Sequence, residues 1–193
     1  MSHKMTTKTT QKKEWMQFVE PIRDPKKIEQ IKNQLRWANN VRDLLLFHLG
    51  INSALRISDL LSLQVHHIID EHWAIREEFS IQKNKTGKYS KVTITPKLKE
   101  TIELYISTYP QIIKDSDYYL FFRQKTNPLG SKHIDRRLWW SMISEWCKWV
   151  WLKGSYGGHT LRKTRWYQAR MKWISMEQIQ HKLNHSSLSI TKK

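Results

Sequence analysis

The sequence lacks the features of secreted and membrane proteins. Its 193 residues include one cysteine, so no internal disulfide can form, which is typical of a reducing compartment. No apolar run approaches twenty residues and no signal-peptide pattern opens the chain, so we expect a soluble cytoplasmic protein with no membrane partner. The lone Cys147 lies in a tryptophan-rich segment and is expected to be a buried, inert thiol.

Acidic residues are also scarce. Lysine and arginine number 34 against 17 aspartates and glutamates, which leaves a formal net charge of +17. Such an excess creates a field that attracts polyanions, so nucleic acid is the expected partner. The hydrophobic fraction of 39%, with ten tryptophans, is sufficient for the core of one ordinary domain.

The chain is predicted to contain one domain after a polar start. Residues 1–13 carry almost nothing apolar and are interpreted as a flexible basic arm or a cloning remnant, either a solvated tail or an arm that contacts DNA. Residues 14–193 show no internal repeat and no second shift in composition. We therefore treat 14–193 as a single domain.

The apolar spacing predicts a mainly helical fold with a small three-stranded antiparallel sheet. Thr95 and Pro96 supply an N-cap and a first-turn proline, and Ser175 with Gln178 forms a capping box. Trp139, Trp146 and Trp149 share one helical face, which favours a core position over base stacking. The predicted helices cover 24–35, 41–49, 56–63, 95–109, 131–152, 159–172 and 175–183, and the extended segments cover 67–69, 73–82 and 91–95.

Arginine and histidine residues supply the candidate chemistry. Arg56 lies among apolar residues, where an unpaired charge is costly, so it needs a partner: either a local ion pair with Asp59 or an anionic ligand. His159 and Arg162 are three residues apart and share one face of a helix. The glycines at 157 and 158 permit close approach of an anion to the start of that helix. Arginine forks match phosphate oxygens, so a phosphate is the expected ligand.

The order Arg, His-x-x-Arg, His resembles the tyrosine recombinases, also called phage integrases. The resemblance runs from about residue 41 to 193 and is most specific in 55–63, 158–164 and 183–187. It implies a tyrosine recombinase catalytic-domain architecture. It also implies that Arg56 and Arg162 are the two catalytic arginines, that His159 and His185 contact the phosphate, and that Asp59 is an acidic residue that orients the site. Asn184 replaces the glycine usual before the last histidine, and asparagine tolerates the same left-handed backbone.

A lysine in the predicted hairpin is a further candidate. The resemblance points to Lys85, in the Lys-Thr pair of the turn, as the group that protonates the leaving 5′ oxygen, with Lys83, Lys88 and Lys91 as competitors. Each of these is equally typical of a charged turn kept in solvent. We expect the DNA backbone to be contacted by Lys83, Lys88, Lys163 and Arg165, although a solvated face would show the same residues.

The resemblance implies site-specific recombination through a 3′-phosphotyrosyl intermediate, by a homo-oligomer on double-stranded DNA. It implies no cofactor, no metal and no small-molecule substrate, and His66, His67 and His72 have no fourth ligand at a zinc-like spacing. The nucleophilic tyrosine is expected nine residues after His185, which is the first position after Lys193, so residues 1–193 are expected to be inactive without it. Tyr156 and Tyr167 lie too close to the His-x-x-Arg segment to replace it.

Two other functions remain open at this point. A catalytically silent DNA-binding protein on the same fold would carry the same phosphate site without a nucleophile. A basic RNA-binding protein would need the positive charge but has no use for the spaced Arg, His-x-x-Arg, His set.

Overall fold

The computed structural model describes residues 19–84, 87–172, 174–175 and 177–178. Within these ranges the chain forms eight helices and one two-stranded sheet, so the mainly helical fold class is confirmed. No helix in the described ranges is long and apolar enough to cross a membrane. The basic arm 1–13 lies outside the described residues. The elements in chain order are α1 (Pro25–Trp37), α2 (Val41–Ser53), α3 (Ile57–Leu61), α4 (Val65–Ile68), β1 (Glu78–Gln82), β2 (Tyr89–Thr93), α5 (Pro96–Thr108), α6 (Pro110–Ile113), α7 (Arg136–Trp149) and α8 (Thr160–Met171).

The predicted caps Thr95 and Ser175 are confirmed, and α1 begins at a cap, Asp24, that was not predicted. Asp24 accepts a hydrogen bond from the Lys26 N–H at 2.8 Å and begins α1, and Thr95 accepts one from the Leu98 N–H and begins α5. The Ser175 side chain likewise accepts from the Gln178 N–H at 3.2 Å. These bonds satisfy donors that the helix itself cannot, so the local sequence determines where each helix begins.

Helix α2 is the centre of the core. Every residue from Val41 to Gly50 is buried, and the helix packs against α1, α5 and α8. At Gly50 a Cβ atom would come within 2.3 Å of Cδ1 of Leu161, so glycine is what lets α2 and α8 lie in direct contact. Because α8 and the segment after α2 both carry candidate site residues, this close packing brings the two parts of the site together.

The sheet was predicted to have three strands, but its described part has two, β1 and β2. They pair antiparallel, with Glu78 opposite Thr93 and Gln82 opposite Tyr89. The expected strand at 67–69 is wrong. Helix α4 occupies most of this segment, and Ile69 makes only an isolated bridge to Ile75. The backbone N–H groups of His67 and Ile69 bond to the carbonyls of Gln64 and Val65 at the start of α4, so they are not available to a third strand.

Helix α7 is shorter than the predicted range 131–152. Asp135 accepts a hydrogen bond from the Leu138 N–H at 2.8 Å and begins the helix at Arg136, while Ile134 is still bonded to the carbonyl of Phe121 in an extended segment. Trp139 and Trp146 are buried and meet edge to face, as the core interpretation predicts, and Cys147 is buried beside them. On the outside of this region the indole rings of Trp140 and Trp151 are exposed.

Candidate active site

The first catalytic candidate, Arg56, is the N-cap residue of α3. It follows Ala54, whose left-handed backbone (φ 55°) ends α2 and turns the chain toward α3. The side chain of Arg56 is half-buried, and its Nη1 is buried without a hydrogen-bond partner among the residues that the structure describes. An unsatisfied buried guanidinium nitrogen is costly in the free protein, so the arrangement favours an incoming acceptor.

Asp59 lies one turn after Arg56 and is completely buried. Its Oδ1 accepts hydrogen bonds from the backbone N–H of Asn84 at 3.2 Å and from the Ser58 hydroxyl at 3.5 Å. Its Oδ2 is buried and has no partner within the described ranges. Among the described ion pairs none joins Asp59 to Arg56. The carboxylate therefore anchors the β1–β2 hairpin to α3, and its negative charge acts on the cations around it without a direct ion pair.

The second catalytic candidate, Arg162, lies in the first turn of α8. Its Nη1 donates a 2.7 Å hydrogen bond to the carbonyl of Ala54, which bridges 108 positions of the sequence and brings α8 to the end of α2. Burial, followed by the nearby positive charge of Arg56, lowers the pKa of Arg162 to about 10, and the charge of Asp59 opposes the change. The two arginines are therefore close enough to repel each other, which is the arrangement expected of two groups that share one anion.

Lys83 completes the group from the hairpin side. It follows β1 directly, its side chain is only 4% exposed, and its backbone closes the hairpin through bonds to Lys88 and Gly87. Burial lowers the pKa of the Lys83 ammonium, followed by repulsion from Arg162 and Arg56, and Asp59 again opposes the change. We refer to Arg56, Asp59, Lys83 and Arg162 as the cationic cluster. It holds three positive charges and one carboxylate.

His159 lies immediately before α8, at the edge of the cationic cluster. Partial burial lowers the pKa of its imidazole, followed by the positive charges of Arg162 and Lys163, then Arg56 and Arg136. Arg136, the first residue of α7, is a cation near the site that the sequence analysis missed. The available signal was Asp135, whose capping side chain begins α7 and places Arg136 on its exposed first turn.

The other predicted site residues lie at different distances from the cationic cluster or outside the described ranges. Lys88 is exposed in the hairpin, where its charge acts on Lys83, and Lys163 is half-buried beside His159. Arg165 is half-buried on α8 and shares no described hydrogen bond or ion pair with the cationic cluster. Lys85 and His185 lie outside the described residues. In the part of the chain that the structure describes, no three His, Cys, Asp or Glu side chains are grouped to hold a metal ion.

Comparison with known proteins finds one family. A profile of the phage integrase family matches residues 23–193. The probable integrase/recombinase YoeC of Bacillus subtilis is 38% identical over 178 residues, which cover 91% of this chain and 88% of YoeC. The crystal structure of XerA recombinase superposes with a TM-score of 0.69 at 17% identity, and that of the XerH site-specific recombinase bound to the difH substrate, a pre-cleavage complex, with 0.67 at 16%.

The two structural matches cover different shares of the molecules compared. Each covers 90% of this chain, but this chain spans 59% of the solved XerA chain and 49% of the solved XerH chain. At such low identity the likeness shows a shared fold. The architecture described above is therefore that of the catalytic domains of tyrosine recombinases.

Proposed function

This chain belongs to the phage integrase family, whose function is site-specific recombination, and we propose that it breaks and rejoins double-stranded DNA through a 3′-phosphotyrosyl intermediate. The proposal includes assembly of several copies on the DNA, since one solved structure of similar fold is a lambda integrase dimer bound to a core site, and XerH is also solved bound to its DNA substrate. Such chemistry conserves the energy of the phosphodiester bond in the covalent intermediate, so no nucleotide cofactor is required.

The cationic cluster is the observation that carries the proposal. Three cations repel one another around a single carboxylate, and the buried Nη1 of Arg56 has no acceptor in the part of the chain that the structure describes. A phosphodiester carries one negative charge, which would offset the repulsion among the three cations. It also carries two non-bridging oxygens, which can accept hydrogen bonds in the geometry of an arginine fork. Because the donors are already in place, they would stabilise the charge that builds on the phosphoryl oxygens during reaction.

The proposed reaction uses a tyrosine located just after Lys193. Its hydroxyl loses a proton to solvent as its oxygen forms a bond to phosphorus, the bond from phosphorus to the 5′ oxygen breaks, and that oxygen takes a proton from a lysine. Arg56, Arg162, His159 and His185 hold the non-bridging oxygens, and Asp59 keeps the arginines and the hairpin in place. A 5′ hydroxyl from a partner strand then returns a proton to the lysine and attacks the phosphotyrosine, and the released tyrosine oxygen takes up a proton from solvent.

Substitution of the arginines tests the role of the cluster. The protein with its native continuation after Lys193 should form a covalent adduct with a nicked suicide DNA substrate. Arg56→Ala and Arg162→Ala should lower this rate about 10²-fold or more, by analogy with the loss of one oxyanion donor, and leave DNA affinity nearly intact. Arg170→Ala, an exposed residue later in α8, is the matched control and should leave both quantities near wild type. Equal losses of binding and cleavage in the two arginine variants would make them general phosphate contacts.

Two lysines compete for the role of proton donor. Lys85 is favoured by the family resemblance, whereas Lys83 is buried in the cationic cluster with a lowered pKa, which eases proton release. A substrate with sulfur in place of the leaving 5′ oxygen separates them, because a thiolate leaves without protonation. The lysine whose alanine variant is slow on the oxygen substrate and restored on the sulfur substrate is the donor. A variant that stays slow on both has lost electrostatic support instead.

The position of the nucleophile has its own test. Residues 1–193 alone should bind DNA and form no adduct, and extension by about ten native residues should restore it, because the spacing from His185 places the tyrosine there. An adduct formed by residues 1–193 would identify an internal tyrosine, such as Tyr167, as the nucleophile. A native continuation without a tyrosine would leave a silent DNA-binding protein.

A further inference from the structure

The segment that enters the domain lies directly on the helix that carries Arg162. We call Val19–Arg23 the entry strap. Its Ile22 side chain is completely buried, and the Glu20 N–H donates to the carbonyl of Ser155, in the loop that precedes α8. The side chain of Arg23 lies 6.0 Å from the ring centre of Tyr167. Residues along the strap therefore contact either α8 or the loop that precedes it.

A polar stripe on α8 binds the backbone of the entry strap. Thr160, Thr164 and Gln168 are spaced four residues apart and therefore follow one another along a single face of the helix. The Thr164 hydroxyl accepts from the Ile22 N–H at 2.8 Å. The Gln168 amide nitrogen donates to the carbonyls of Ile22 at 3.3 Å and Arg23 at 2.8 Å. The strap belongs to no helix or strand, so side chains of α8 form the hydrogen bonds that its buried backbone groups require.

The same stripe continues to the turn that holds His159. The Thr164 hydroxyl donates to the carbonyl of Thr160 at 2.8 Å, and the Thr160 hydroxyl accepts from the Gly157 N–H at 2.9 Å. Thr160 and Thr164 are both completely buried. The hydrogen bonds therefore connect the entry strap to the start of α8, where His159 and Arg162 lie.

The other side of α8 contacts the end of α2. Arg162 donates to the carbonyl of Ala54 there, and Leu161 packs on Gly50. Helix α8 is consequently held between two supports, with α2 on one side and the entry strap on the other. Removal of the strap contacts would take away one of these two supports.

We infer that Thr164 and Gln168 are positioning residues, which use the entry strap to orient α8 so that Arg162 and His159 meet the scissile phosphate. The inference rests on the proposed function, since it concerns the geometry of that reaction. Neither side chain faces the phosphate. Their effect reaches the chemistry through the helix, and a displacement of about 1 Å in an active site is enough to cost about a hundredfold in rate.

Variants of Thr164 test the inference in the protein with its native continuation after Lys193. Thr164→Val keeps the shape but removes the hydroxyl, and it should slow adduct formation about tenfold to a hundredfold with DNA affinity unchanged. Thr164→Ser retains the hydroxyl and should restore the rate. Gln168→Met, which lacks the amide donor, should show a smaller loss of the same kind.

Tyr105→Phe is the matched control for a general loss of stability. It removes a buried hydroxyl that donates to the carbonyl of Leu120, in a part of the core away from α8. This variant should lower the melting temperature as Thr164→Val does, yet cleave at the wild-type rate. If Tyr105→Phe slows cleavage as much as Thr164→Val, the role of Thr164 is merely structural.

Hydrogen–deuterium exchange decides the same question without activity. In Thr164→Val the amides of α8 should exchange faster than in wild type, while those of α5 keep their wild-type rates. Wild-type exchange in α8, or a wild-type cleavage rate, would overturn the inference. If wild-type protein forms no adduct, the proposed function fails, and the exchange of α8 still shows whether the strap holds the helix.

Discussion

Asp59 is the only carboxylate within the cationic cluster, and its charge can be removed almost without a change of shape. Its Oδ1 accepts from the Asn84 N–H, and the amide oxygen of Asn in Asp59→Asn can still accept that bond. The substitution therefore removes the negative charge that opposes the lowered pKa values of Lys83 and Arg162. Three buried or half-buried cations would then remain without compensation.

The expected cost follows from the burial of the carboxylate, which is 0% exposed. Removal of one partner from a direct buried ion pair destabilises proteins by about 3–5 kcal/mol, and this is the upper limit for Asp59, which acts on the cations without a direct ion pair. For a domain of this size each kcal/mol lowers the melting temperature by about 2–4 °C, so Asp59→Asn should melt below wild type by up to roughly 20 °C. Duplex DNA should recover much of this difference, because a bound phosphate restores the missing negative charge.

The assay is thermal unfolding followed by tryptophan fluorescence, with and without a short DNA duplex. Asp43→Asn is the matched control: it removes a different buried carboxylate charge, one on α2 that is paired with Arg42 at 2.7 Å. DNA should raise the melting temperature of Asp59→Asn more than that of wild type, and that of Asp43→Asn by no more than wild type. Equal DNA-induced shifts in all three proteins would refute the assignment of Asp59 as the counter-charge of a phosphate site.

Three other measurements follow from the same structure. If the footprint neutralises roughly six to ten phosphates, DNA affinity should fall about 10³- to 10⁵-fold between 50 and 200 mM salt, and a flat salt titration would contradict the electrostatic role of the +17 charge. Burial lowers the pKa of His48 from 6.5 to about 4. As the pH falls, this histidine is therefore protonated in the unfolded chain before it is protonated in the folded protein. Its stabilising contribution is complete above pH 6.5 and is lost as the pH falls toward 4, and urea unfolding of wild type and His48→Gln at pH 7 and 5 should show a smaller pH effect in the variant. Gly50→Ala should destabilise the fold by about 1–3 kcal/mol through overpacking against Leu161, and a melting temperature at or above wild type would show that α8 can yield.

The sequence by itself determines an element where the controlling interaction is local. The N-cap Thr95 and the apolar spacing of α1 lie within a few residues of the elements they determine, so α5 and α1 begin where predicted. The segment at 67–69, predicted as a strand, lies mostly in α4, whose first residue, Val65, bonds to Tyr118 more than fifty positions away. Helix α7 begins later than predicted, because the extended course of Ile134 depends on Phe121.

The candidate site divides in the same way. The types and order of Arg56, His159 and Arg162 are properties of the sequence, and together with the family resemblance they indicate a phosphate ligand. The inclusion of Lys83, the position of Arg136 near His159, and the hold of the entry strap on Thr164 were decided by the tertiary structure. The physical reason is that charge repulsion, burial and long-range hydrogen bonds depend on distance in space. Contacts such as Arg162 to Ala54, 108 residues apart, exist only once α2 and α8 have packed.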